Sequence, residues 1–210
     1  MKRLLLLLPA AVCMVLAAAL LLLATDVGRW RDAMAADDVR YRSDPGARGL
    51  WTADTLIPFG LSGRMLGVGD DVAFREAVRA LRLGRLEAGA TSDPTLVLKR
   101  AEARARLQEI AGRAGDASRR SRALNLLGVI SFSSAITEAR GQAAYLQDAA
   151  AAFAGAIAID PTNAEAKANL ELALQKGRAL EAAESAGGPN PSPGGSGAKG
   201  AGAGEPGTGY

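Results

Sequence analysis

Residues 153–170 read FAGAIAIDPTNAEAKANL, and this stretch decides the fold. Ala149, Phe153, Ala156 and Ile157 recur at steps of three and four, which places them on one face of a helix. Asp160-Pro161 ends the helix, because Pro has no N–H and cannot continue it. A further helix begins at Ala164. The spacing therefore predicts two helices, from about Gln142 to Ile159 and from about Ala164 to Glu184, joined by a short turn.

Upstream, three more helices follow from the same periodicity. One opens at Asp70 and Asp71, either of which can cap orphan N–H groups. It carries Phe74, Val78 and Leu81 on one face, is weakened at Gly84 and is expected to stop at Gly89. Thr91-Ser92-Asp93-Pro94 starts the next, with Pro in the first turn. Leu96, Ala103, Leu107 and Ile110 mark its buried face, and Gly112 and Gly115 stop it. The third spans Ala117 to about Ala135, with Ala123, Leu126, Leu127 and Ile130 at helical spacing. No strand pattern competes. The 49% apolar content is mostly Ala and Leu, the best helix formers, and aromatics are only 4%. The expected class is all-α.

Leu4 through Ala24 is an uncharged run after Met1, Lys2 and Arg3. As a helix it would reach about 31 Å, enough to cross a bilayer core. A cleaved signal peptide has a shorter apolar region and a small-x-small site, whereas here Leu22 falls where a small residue belongs. Cys13 sits in no convincing lipobox. We therefore expect an uncleaved transmembrane anchor over 4–24. Lys2, Arg3 and the amino terminus (residues 1–3) are expected on the cytoplasmic side of the cytoplasmic membrane, with a single pass and the body extracytoplasmic. Residues 25–69 form a juxtamembrane spacer, rich in Gly and Pro between Asp44 and Gly63. Trp30 is expected at headgroup level. Leu50-Trp51, Leu56-Ile57 and Phe59-Gly60-Leu61 are too apolar for a free linker and are expected to pack on the helices that follow. The helical domain is placed at 70–184. Residues 185–210 are expected to be a disordered tail, since 187–210 hold ten of the 25 Gly and four of the nine Pro.

Several chemistries are disfavoured. The chain has no His and a single Cys, Cys13. That leaves no intrachain disulfide and no Cys/His zinc site, and it removes the usual general base near neutral pH. No cofactor or metal is expected, and no enzyme activity. The net charge of +3, without Arg interleaved with aromatics, does not suggest nucleic acid. An acidic metal or acid/base site at Asp70-Asp71 lacks a third ligand.

The helix-Pro-helix joint resembles the tetratricopeptide repeat, a helix pair of about 34 residues. Leu124, Leu127 and Gly128 resemble its positions four, seven and eight. Counted from Gly128, the closing Pro is due at 152, but it stands at 161. An expanded connection over Ile136–Tyr145 or a lengthened helix pair would account for the difference. Glu171 stands where Gly is usual, as in a solvent-facing terminal helix. The resemblance covers about Ala117 to Glu184. Asn169-Leu170-Glu171-Leu172-Ala173-Leu174 is similar to the terminal helix of tetratricopeptide-bearing membrane proteins that accompany MoxR-type ATPases and von Willebrand factor A-domain proteins. The short anchor, Trp-containing spacer and Gly-Asp-Asp-Val-Ala-Phe-Arg motif match that arrangement as well.

The resemblance implies a membrane-anchored protein–protein interaction scaffold or adaptor, accessory to an envelope complex. Its partner would be a protein or peptide associated with the membrane, and residues 4–24 would contact the bilayer. A concave face would hold the partner. It would include Arg122, Asn125 and Val129 of one helix and Glu165, Asn169 and Leu172 of another, with the Asn amides available to a peptide backbone. Each Asn also has a local helix or turn contact as its plainer explanation. Two other classes remain at this point: an envelope-associated hydrolase, for which Ser131, Ser133 and Ser134 have no nearby base in sequence, and a structural protein acting through its Gly-rich tail.

Overall fold

The structure, a computed structural model, describes residues 2–84, 93–113, 115–138 and 140–186. Among these the chain is all-helical. The order is α1 (Lys2–Ser43), a 3-10 turn (Pro58–Gly60), α2 (Leu61–Met65), α3 (Val68–Leu83), α4 (Pro94–Gly112), α5 (Ala117–Thr137), α6 (Gln142–Ile159) and α7 (Ala164–Ala186). The expected tail from residue 187 onward lies outside the described residues, and so does Gly89. Ser185 and Ala186, assigned to that tail from the sequence, belong to α7.

α1 is 42 residues long and continues 19 residues past the apolar run. Residues 25–43 contain no Pro and many good helix formers, so nothing local breaks the helix. It ends before Asp44, whose neighbour Pro45 disfavours the helical conformation there. The side chains from Pro9 to Ala24 are almost all open, and only 6% of the most apolar window, of mean hydropathy 2.4, is buried. α1 is thus long and apolar enough to cross a membrane, and the other described residues do not cover it as they would a core helix.

After Ser43 the chain turns back along α1. Trp51 N–H donates to Asp37 and its indole Nε1–H to Asp38 Oδ1 at 2.8 Å. Further down, Arg29 donates to the Asp54 carbonyl at 2.9 Å, and the Leu56 and Ile57 N–H groups donate to Asp26. Residues 51 to 57 therefore descend toward the apolar end of α1. α2 lies there, its Gly63 against the Trp30 indole. α3 then climbs again: Arg75 pairs with Asp38, and Arg79 donates to the Pro45, Gly46 and Ala47 carbonyls.

Beyond this collar the helices stack in chain order, α3 on α4, α4 on α5, α5 on α6 and α6 on α7, with α5 also touching α7. One core joins Ala77, Leu107, Ile110, Ala123 and Ile130, with Phe74, Leu81, Leu126 and Leu127 around it. A second joins Ala149, Phe153 and Ala173, with Val129, Phe132 and Leu170. The expected face of α5 packs, and so do Ala103, Leu107 and Ile110 of α4, whereas Leu96 is half-buried and outside both cores.

The ends of α3 differ from expectation in two places. α3 starts at Val68 after Gly67, whose φ of 65° suits Gly. Asp70 and Asp71 thus fall inside the first turn and do not cap it. They pair instead with Arg113 and Arg119 across the stack. α3 stops at Leu83, with Gly84 as its C-cap. A Cβ at Gly84 would lie 2.9 Å from the Arg100 nitrogen, so Gly permits α3 to end against the α4 backbone. α5 has 21 residues and α6 has 18, and Ile136 and Tyr145 lie within them, at the end of one and the start of the other.

Candidate functional site

The six residues expected to form a partner face lie on α5 and α7, which meet directly. Asp116 caps α5, its side chain accepting from Ser118 N. Asn163 stands at the start of α7 and accepts from Ala166 N at 3.0 Å. Between them, Asn163 Nδ2 donates to Ser121 Oγ at 2.8 Å, and Ser121 Oγ donates to the Ala156 carbonyl at 2.8 Å. One turn further along α5, Asn169 Nδ2 donates to Asn125 Oδ1 at 2.9 Å. Ser121 and Asn125 are both buried, so these polar groups satisfy one another inside the stack.

The predicted face is therefore split. Asn125 is 4% exposed and its carbonyl oxygen is committed to Asn169. The pair is thus neither a local helix or turn contact nor an open amide edge: it is a bond between two packed helices, 44 residues apart in sequence. Val129 is half-buried on the Phe153 cluster. Arg122, Glu165 and Leu172 are exposed, and they are the open part of the set. Nearby, Asp160 Oδ1 accepts from Thr162 N and Oγ1 at 3.0 and 2.6 Å. The Thr162 hydroxyl, its backbone N–H and the positive charge of Arg122 and Lys167 hold the Asp160 carboxyl below its ordinary range.

A second constellation, not singled out from the sequence, ties α1 to the body. Asp26 and Asp37 are eleven residues apart, hence about 20° apart around the helix and about 16 Å along it. Asp26 is fully buried. Burial opposes its ionisation, but the Leu56 and Ile57 N–H donors, with Ser62 and Arg29, outweigh it and lower its pKa. Asp38 is lowered chiefly by its bond to Arg75, against partial burial, and then by the Trp51 indole. Trp51 is 2% exposed, has φ of 59° and packs tilted on Tyr41 at 5.4 Å, with Arg82 over the Tyr41 ring. A left-handed Trp is strained by about 1–2 kcal/mol, and the two aspartate bonds hold it there. Leu50 and Trp51 thus pack on α1 as well as α3. Leu56 and Leu61 do not follow the expectation of packing: both are 45% exposed. Trp30 is half-buried, and its indole N–H is enclosed without a partner among the described residues. The 11-residue aspartate spacing was the available signal, masked by its resemblance to an ordinary charged flank.

Among the described residues no group of three or more His, Cys, Asp or Glu is placed to hold a metal. Of the three serines raised from the sequence, Ser131 and Ser134 are buried, with Arg104 donating to Ser131 at 3.4 Å, and Ser133 is exposed. No protein-family model, curated protein or solved structure matches the chain.

Proposed function

We propose that the chain is a membrane-anchored adaptor that holds a polypeptide partner on a short tetratricopeptide-like helical stack, and that it performs no catalysis. α1 anchors it in the cytoplasmic membrane with the N-terminus inside and the stack outside. One observation carries the reading: an apolar helix that the other described residues leave uncovered runs without a break into a helix collared by the body. A stack fixed to such a rod searches only the membrane plane, which raises its effective concentration for a membrane partner.

The partner face is the exposed margin of the α5–α7 contact, at Arg122, Glu165 and Leu172. A guanidinium, a carboxylate and an apolar side chain flank the Asn125–Asn169 bond and suit a peptide or helix laid along it. The lengthened pair α5–α6 followed by α7 is consistent with a terminal repeat and its capping helix. The resemblance to proteins accompanying MoxR-type ATPases and von Willebrand factor A-domain proteins makes an envelope complex the first place to look.

Photo-crosslinking groups at Arg122 and Leu172 of the full chain, activated in native membranes and mapped on the product, test this. The expected product is a discrete polypeptide joined within 117–184. No discrete product from either position, with one formed instead from a comparison group at the exposed Arg48, would overturn the assignment of the face.

A further inference from the structure

We infer that residues 56–66 form a second membrane contact, an apolar foot resting in the bilayer interface beside the anchor. This rests on the anchor reading above and adds a site to it. Four large apolar side chains within this segment are exposed: Leu56 at 45%, Leu61 at 45%, Met65 at 70% and Leu66 at 38%. The collar fixes their height. The Leu56 and Ile57 N–H groups bond Asp26, two residues beyond the apolar run and so about 3 Å past its end. Gly63 touches the Trp30 indole, about 9 Å past it. The polar interfacial zone of a bilayer begins where the hydrocarbon ends, and amphipathic helices settle about 5–10 Å into the headgroup boundary. The segment thus stands where such a helix lies.

The occupant follows from continuity with the span. Among the described residues after the apolar run, exposed large apolar side chains elsewhere come singly or in twos (Val39, Val97 with Leu98, Ile136, Leu172 with Leu174), whereas these four fall in eleven consecutive residues bound to the base of the anchor. Arg29, Arg31 and Arg64 are exposed at the same level, with Asp32 and Asp54. Guanidinium groups so placed meet lipid phosphates through charge-assisted hydrogen bonds. Two contacts, a rod and a foot, fix the tilt and rotation of the stack over the membrane, where a rod alone fixes neither.

The test uses full-length protein reconstituted in phospholipid vesicles, with a nitroxide at one position at a time. The native Cys13 reports the anchor. Leu61→Cys and Met65→Cys, each in a Cys13→Ser background, report the foot, and Val39→Cys is the control about 20 Å above Asp26. Collision with oxygen, concentrated in lipid, is compared with collision with a water-soluble nickel chelate. The expected result is lipid-type accessibility at 13, 61 and 65 and water-type accessibility at 39, with at least a several-fold difference in the ratio between 65 and 39. Lipid-type values at 13 with water-type values at 61 and 65 would overturn the foot and leave the anchor standing. Water-type values at 13 would overturn the anchor and the foot together.

Discussion

A Cβ on Gly128 would lie 2.6 Å from Cδ1 of Phe153 and 2.9 Å from its Cζ, so the Phe153 ring occupies the place a side chain at 128 would take. Phe153 is 1% exposed. This contact sets the spacing of α5 and α6. Gly128→Ala must push the ring aside, at a cost of about 1–3 kcal/mol. Phe153→Ala should cost about 3–5 kcal/mol. With the ring removed, alanine at 128 fits, and the double variant should be more stable than the sum of the two losses implies by more than 1 kcal/mol. Urea unfolding followed by helical circular dichroism measures all three. Additivity within about 0.5 kcal/mol would mean that the two residues do not touch.

The Asn125–Asn169 bond makes a second expectation. If it ties α5 to α7, Asn125→Ala and Asn169→Ala should each lower stability, with a coupling of about 1 kcal/mol in the double-variant cycle. Asn125→Ala should also leave partner crosslinking from Arg122 intact, because the buried amide supports the face and does not form it. A variant that keeps its stability but loses the crosslink would return Asn125 to the face itself.

The collar is sensitive to acid. Asp38 has a lower pKa folded than unfolded, owing first to Arg75. The unfolded chain therefore takes up the proton more readily. The contribution of Asp38 is complete above the ordinary carboxylate value of about 3.9 and disappears as pH falls through its lower folded value. Asp26 acts in the same direction, through backbone donors that overcome its burial. Trp51 emission in a Trp30→Phe background should report release of the indole below about pH 4. Asp38→Asn should cost about 1 kcal/mol at neutral pH, a modest figure because the pair is partly exposed, and should flatten the acid limb. An unchanged acid limb in that variant would remove Asp38 from the clamp.

The stack was more legible in the sequence than the collar, and the reason is physical. Asp93-Pro94, Gly112 and Asp160-Pro161 act on their own backbone, so α4, α6 and the start of α7 fall where local chemistry puts them. α1 continues to Ser43 on local propensity, but the way residues 44–69 fold back on it depends on bonds between residues distant in sequence, such as Leu56 and Ile57 with Asp26, which is why residues 25–69 read as a spacer. Asp70 and Asp71 looked like caps because a left-handed Gly67 two positions upstream of Gly69 carries no polar side chain to announce the true start. At the candidate face the spacing put the six residues on α5 and α7, and these two helices do pack together. It did not reveal that Asn125 and Asn169 satisfy each other, since a hydrogen bond between residues 44 apart is set by how the helices pack.

The account depends on α1 being one rod from the bilayer into the body. Spin labels on the native Cys13 and on Val39→Cys, in full-length protein in lipid vesicles, measure it by dipolar spectroscopy. A continuous helix of 26 intervening steps predicts a separation of about 39 Å between the backbone positions, with a narrow distribution. A broad distribution, or a distance shorter by 10 Å or more, would mean that the chain bends or frays where it leaves the membrane and that the body hangs on a tether.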